Sequence, residues 1–212
     1  MNLVIITFCV VTIFIVHYRV YNKNNNPIIP EQGSFKYLKK GNRQFRRDFK
    51  RTDTPGYIET QKPHTAILSC SDSRTPVERI FNLSKGEIFV IREAGQVMAF
   101  NSIASLEYAV AVVGVNRLII LGHTECGAVH AAMSGNKLPS EALTKLVNNI
   151  KGHIRPNDTL DQAIHHHTEA LVTELLKESS IIKEAVTGKK VKLFSGIYNI
   201  QTGKVKLNQY KI

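Results

Sequence analysis

Thr65-Ala66-Ile67-Leu68-Ser69, running straight into Cys70-Ser71-Asp72-Ser73-Arg74, is the stretch from which the fold can be read. The first half is a short, mostly apolar run of strand length. The second half sets a thiol, a carboxylate and a guanidinium at alternating positions where that strand ends. The pattern returns downstream: Arg117–Leu121 is another such run, Gly122 ends it, and His123 and Cys126 follow at once. Two strands therefore deliver soft and nitrogenous ligands from the same kind of place, their carboxyl ends.

Working outward, strands alternate with helices. Pro76 to Asn82 predicts a helical turn opened by proline, and Glu87–Ile91 a second strand. Asn101 to Val113 reads as a helix with Ile103, Leu106, Ala109, Val110 and Val113 on one face. A helix begins near Cys126, another spans Ser140 to Lys151, and Asp158-Thr159-Leu160-Asp161 caps a longer one that runs to Glu178. Lys190–Tyr198 is a further strand, and Asn199–Gly203 turns the chain into Lys204–Leu207, an antiparallel edge strand. The expectation is an α/β fold: a mostly parallel sheet of four strands plus an antiparallel edge strand, flanked by helices. Ligands in such sheets bind at the carboxyl ends of the strands.

The 212 residues have room for one ordinary α/β domain and an appendage. A hydrophobic share of 43% against 21% charged residues marks a globular chain and excludes a disordered one. The net charge of +11 invites nucleic acid or an anionic membrane as partner. There is no nucleic-acid-binding motif, no stripe of interleaved aromatic and basic residues and no tryptophan, so nucleic acid is set aside. Of the three cysteines, Cys9 lies in an apolar stretch, so Cys70 and Cys126 are the pair that can meet inside the domain. A disulfide between them is one reading; metal ligation beside histidine and aspartate fits better.

Residues 1–21 read as a hydrophobic membrane anchor or signal segment, since Leu3 to Val16 is broken only by threonines and Cys9. No lysine or arginine precedes that run and no small-x-small cleavage site follows it, which favours an uncleaved anchor. Residues 22–34 form a polar linker with two prolines, and 35–212 the folded zinc domain. The basic cluster Lys36, Lys39, Lys40, Arg43, Arg46, Arg47, Lys50 and Arg51 favours a cytoplasmic domain on a membrane anchor. It can lie against anionic lipid or be the solvated face of a helix whose other face carries Phe35, Leu38, Phe45 and Phe49. A cleaved segment would instead make the domain periplasmic or secreted.

The ligand set points to Zn²⁺, one per chain. Zinc takes thiolate and imidazole in tetrahedral geometry, and a catalytic site leaves one position for water. Cys70, His123 and Cys126 supply three ligands. Asp72 either takes the fourth position, closing the site, or pairs with Arg74 and leaves it open. Two thiolates cancel the charge of Zn²⁺, so bound water acidifies less than at a three-histidine site. Asp72, held as carboxylate by Arg74, offsets this by accepting the water's hydrogen bond. The reaction class that follows is attack of zinc-bound hydroxide on a small electrophilic carbon.

Cys70-Ser71-Asp72-Ser73-Arg74 and His123-Thr124-Glu125-Cys126-Gly127 resemble the two signatures of the β-class carbonic anhydrases. The similarity extends from Leu38-Lys39-Lys40-Gly41-Asn42 to Gly196-Ile197-Tyr198 and Thr202-Gly203. The resemblance implies reversible hydration of carbon dioxide to bicarbonate and a proton. Zinc would be held by Cys70, His123 and Cys126, with Asp72 as exchangeable fourth ligand and Asp72–Arg74 as the catalytic dyad. It also implies Gln61 as a polar substrate contact, Phe89, Ala94 and Tyr108 as pocket wall, and a homodimer or higher homo-oligomer. Arg92-Glu93-Ala94-Gly95-Gln96 departs from the family's common Arg-Asn-Ala-Gly-Asn, which bears on the substrate loop and on rate. The absence of tryptophan argues against the inhibitory bicarbonate site of some members. Two alternatives carry over: a hydrolase of carbon disulfide or carbonyl sulfide on the same fold, and a membrane-tethered zinc or bicarbonate-binding protein of low turnover.

Some residues invite more than they support. His165-His166-His167 lie consecutively on a helix and point in different directions, so a solvated face with one inward histidine is expected. His130 is a proton-shuttle candidate by proximity alone.

Overall fold

The computed structural model describes residues 35–48 and 60–211. The chain divides between Thr54 and Pro55 into two units. In the first, the described part is helix α1, Phe35–Asp48, with Arg46 and Arg47 in its last turn, where cations complement the helix dipole. Phe35 and Leu38 are exposed on it. The apolar run at Leu3–Val16, the linker, and Phe49, Lys50 and Arg51 lie outside the described residues. Among the described residues no helix is long and apolar enough to cross a membrane.

The second unit is built on five strands: β1 Thr65–Cys70, β2 Ile88–Glu93, β3 Arg117–His123, β4 Lys192–Tyr198 and β5 Val205–Gln209. They lie in the order β2-β1-β3-β4-β5. The first four are parallel and β5 runs antiparallel to β4, as the alternation of strands and helices predicts. One difference matters for the site. β1 and β3 extend beyond the apolar runs because the ladder continues, with Cys70 opposite Glu93 and His123 opposite Tyr198. Both ligands thus sit in the last paired position of a strand, held by backbone pairing.

The helices of this unit are α2 Val77–Ile80, α3 Phe100–Tyr108, α4 Gly127–Ser134, α5 Glu141–Lys151, α6 Leu160–Glu178 and α7 Ser180–Thr187. A 3₁₀ turn, Ala94–Gln96, follows β2. Helix α3 passes into a π turn, Ala109–Val113, which Gly114 ends in the left-handed region at φ 83°. Helix α7 is the element that sequence periodicity misses. Ser179 breaks the helical run in an extended conformation, then accepts from the Ile182 N–H at 3.1 Å and caps a new helix. Thr159 starts α6 in a capping box with Gln162.

One sheet face is thickly covered. Leu68, Leu118, Ile120 and Leu193 meet Leu106, Leu171, Leu175 and Ile182 there, and full burial of such side chains is worth about 1.5–3 kcal/mol each. On the other face Val77 and Phe81 are the helical contribution to a cluster otherwise made by strand residues, including Ile67, Ile119 and Leu121. A third cluster, with Val97, Val129, Val147, Ile150 and Ile164, closes around Cys70 and Cys126.

The direction of chain progression reverses at β1, since β2 lies on one side of it and β3 on the other. The crevice at the carboxyl ends of β1 and β3 is therefore a topological switch point, the usual ligand position in an open parallel sheet.

Candidate active site

At that crevice Cys70, His123 and Cys126 converge, each offering a ligand atom within 4.8 Å of the others. All three are buried, and neither cysteine is in a disulfide. The His123 tautomer follows from its neighbour: the Thr124 carbonyl, 2.8 Å from Nδ1, can only accept. Nδ1 therefore carries the proton, and the Nε2 lone pair is left buried without a hydrogen-bond partner. An orphaned buried acceptor beside two sulfurs is the signature of a cation site. Two sulfurs and an imidazole nitrogen suit a tetrahedral cation with one position to spare.

The environment of each sulfur differs. Cys70 Sγ accepts backbone N–H bonds from Asp72 at 3.4 Å and Gly95 at 3.2 Å. Cys126 is the residue before α4, and the N–H groups of Ala128 and Val129 face its sulfur. Two thiolates this close repel, so one proton stays between them. A hydrogen bond from Cys126 leads in holding the Cys70 thiol well below its ordinary value, with help from the two backbone N–H groups. The same bond to Cys70, together with burial, pushes the Cys126 thiol up. A divalent cation is what allows both to be thiolates at once.

Next to the cluster Asp72 and Arg74 form a fork. Arg74 Nε donates to Asp72 Oδ1 at 2.9 Å and Nη2 to Oδ2 at 2.7 Å. This bidentate bond, joined by the Arg74 backbone N–H at 2.9 Å, holds the Asp72 carboxyl well below the usual carboxylate range. Arg74 Nη2 also donates to the Glu125 carbonyl at 3.0 Å, tying the first motif to the second. Glu125 adopts φ 56°, left-handed for a residue with a side chain, which costs on the order of 1–3 kcal/mol. Asp72 Oδ2 stands 3.9 Å from His123 Nε2, so the carboxylate borders the ligand cluster while engaged with the guanidinium.

Of the proposed pocket wall, Ala94 opens the 3₁₀ turn whose Gly95 donates to Cys70, placing it beside the site. Phe89 and Tyr108 pack on one another with ring centroids 6.4 Å apart, but Phe89 pairs with Ala66 near the amino end of β1, four residues short of Cys70, so the pair stands away from the cluster within this chain. Gln61 is exposed in the segment before β1. His130 is exposed on α4, whereas the histidine run behaves as its spacing predicts: His165 is exposed, His166 meets Asp158 at 2.8 Å, and His167 points inward. Glu93, the departure noted above, accepts weakly from Ser102 Oγ at 3.4 Å in the first turn of α3.

Arg92 and Thr75 have roles that the sequence does not reveal. Arg92 donates to the Cys70 carbonyl at 3.0 Å, the Asp72 carbonyl at 2.6 Å and Thr75 Oγ1 at 3.2 Å. Thr75 Oγ1 bonds the same two carbonyls. Together they brace the loop that carries Cys70 and Asp72. The signal is β1–β2 register, which puts Arg92 opposite Ser69, and register is not written in either strand alone.

A family model described as carbonic anhydrase matches residues 65–205. The chain is similar to carbonic anhydrase 2 of Mycobacterium tuberculosis, at 30% identity over 88% of this chain and 95% of that protein. It is similar to the carbonic anhydrase of Helicobacter pylori, at 32% identity over 68% of this chain and 76% of that one. In fold it resembles a β-carbonic anhydrase of Aspergillus fumigatus, with a TM-score of 0.74, 22% identity and coverage of 82% of this chain and 90% of that one. A Coccomyxa β-carbonic anhydrase is comparably similar, at a TM-score of 0.72 and 22% identity over 82% and 86% of the two chains. The chain belongs to the β-class carbonic anhydrase family of enzymes.

Proposed function

We propose that this enzyme catalyses the zinc-dependent, reversible hydration of carbon dioxide to bicarbonate and a proton. The observation that carries the reading is the buried Cys70–His123–Cys126 cluster directly beside the Asp72–Arg74 fork. Those three residues would hold Zn²⁺, which as a Lewis acid makes water a nucleophile near neutral pH. Asp72 accepts the hydrogen bond of the attacking water and aims its lone pair at the carbon. Arg74 keeps Asp72 ionised and turned away from the metal position, so that position stays available to water. The water oxygen bonds to the carbon, one C=O π pair moves onto oxygen, and a proton leaves to solvent. Ala94, in the turn that bonds Cys70, offers an apolar wall suited to carbon dioxide.

Two further readings belong to the whole chain. Residues 1–21 anchor it in a membrane with the catalytic domain on the cytoplasmic side, on the strength of the apolar run and the basic cluster behind it. The enzyme is a homodimer or larger homo-oligomer, because one sheet face carries little helical cover among the described residues of the second unit and parallel sheets bury both faces.

Stopped-flow hydration of carbon dioxide across pH, with zinc measured on the same sample, tests the reaction. One zinc per chain with rapid hydration is expected. One zinc with no turnover favours the low-turnover binding protein, and turnover of carbonyl sulfide in place of carbon dioxide favours the hydrolase. Recovery in a carbonate-washed membrane fraction, lost on deletion of residues 1–21, tests the anchor.

A further inference from the structure

Helix α6 carries His167, fully buried, with Nε2 2.7 Å from the Gly95 carbonyl. A carbonyl only accepts, so Nε2 bears the proton and Nδ1 of the neutral ring is an acceptor. Its partner is His153 Nδ1 at 3.0 Å, which must then donate. On the far side of that ring, His153 Nε2 faces Glu174 Oε2 at 3.6 Å. That separation is longer than a hydrogen bond, so the relay proper begins at His153. The protons along His153–His167–Gly95 are thus assigned by geometry, and the line ends at the residue whose N–H donates to Cys70 Sγ.

Gly95 sits in a tight, closely packed turn. Its φ of +63° is left-handed, and a side chain there would stand 2.7 Å from Ile150 Cδ1 and 3.0 Å from Ala128 Cβ. The turn Ala94–Gln96 is one residue in each direction from that glycine, and His167 is the side chain that holds its carbonyl. Burial pushes His167 down to about 4, so it remains neutral, with a fixed donor and a fixed acceptor, across the working range of an enzyme at neutral pH.

We propose that His167 is a positioning residue for the metal centre: backed by His153, it clamps Gly95 so that the Gly95 N–H stays bonded to the Cys70 thiolate. This rests on the reading of Cys70 as a metal ligand. An N–H···S bond withdraws charge from a metal thiolate and pre-orients it, and outer partners of this kind are worth about 10–100-fold in metal affinity. His167 touches neither metal nor substrate.

The test uses the full chain and its His167→Leu, His167→Gln and His153→Leu variants, with circular dichroism to confirm folding. Zinc affinity is read by competition with a chelating dye, and the thiolate-to-metal charge-transfer band by substituting cobalt. Leucine at 167 should weaken zinc binding about 10-fold or more and move the cobalt band to lower energy, because Cys70 loses its donor. Glutamine can donate to Gly95 and accept from His153, so it should restore both readouts. His153→Leu, at a partly exposed position, should shift both in the same direction by less, and it carries the test if His167→Leu fails to fold. Unchanged affinity and band in the leucine variants, or equal losses with glutamine and leucine at 167, would overturn the proposal while leaving the metal site standing. A wild-type chain that takes up neither zinc nor cobalt would overturn both.

Discussion

Arg74 is half exposed, yet it settles what Asp72 can do. With the guanidinium removed, only the backbone N–H of residue 74 still holds Asp72 Oδ1, and on the proposed reading the carboxylate then swings to the metal position. Arg74→Ala is therefore expected to keep its zinc while carbon dioxide hydration falls about 100-fold, the order of loss seen when one oriented partner is removed from a reacting centre. Cys70→Ser should lose the metal itself; metal analysis and stopped-flow rates separate the two outcomes. His167 makes a different prediction, about stability. Its pKa is depressed in the folded chain to about 4, against roughly 6.5 when unfolded. Between those values the unfolded chain binds the extra proton, so stability rises with pH across the window. Full stability is expected above about pH 6.5, with a loss on the order of 3 kcal/mol as pH falls toward 4. Denaturant melts of wild type and His167→Gln across that range check it, the glutamine variant showing the flatter curve.

At the scale of elements, the site is an agreement between strand ends and the turns that follow them. β1 and β3 end side by side, with Cys70 and His123 one residue apart in register, α4 begins as Cys126 is reached, and the turn after β2 leans on Cys70. That turn tolerates little: Gly95→Ala meets both a left-handed backbone and Ile150 Cδ1 at 2.7 Å. A loss of roughly 1–3 kcal/mol is expected, with weaker zinc binding because the Gly95 N–H is displaced. Thermal unfolding and dye competition on one preparation read both. A loss confined to stability would mean that the turn can shift without disturbing Cys70.

At the largest scale, the uneven cover of the sheet among the described residues of the second unit is the leading fact. One face is buried under α3, α6 and α7, while the other keeps Ile88, Val90, Phe194 and Tyr198 partly open. Phe100 and Val112 add exposed apolar surface at 84% and 66%. Surface of this kind is covered by a partner more often than by water. Sedimentation of the full chain is expected to give at least twice the 23.8 kDa of one chain; a species of one-chain mass alone would remove the oligomer from the reading.

The sequence by itself determined the class of sheet and which two cysteines and which histidine meet at its strand ends. Apolar runs of strand length alternating with helical periodicity leave few arrangements open, and residue types as distinct as cysteine and histidine at the ends of such runs announce themselves. The π turn after α3 and the restart at α7 were not legible, because a capping serine and one extra residue per turn leave the apolar pattern almost unchanged. Only the tertiary structure decided which donors reach the sulfurs, that Arg92 and Thr75 brace the Cys70 loop, and that the inward histidine of His165–His167 is the one behind Gly95. The physical reason is sequence distance. Arg92 lies 22 residues from Cys70 and His167 lies 72 from Gly95, and contacts across such separations depend on register and helix docking, which no local pattern encodes.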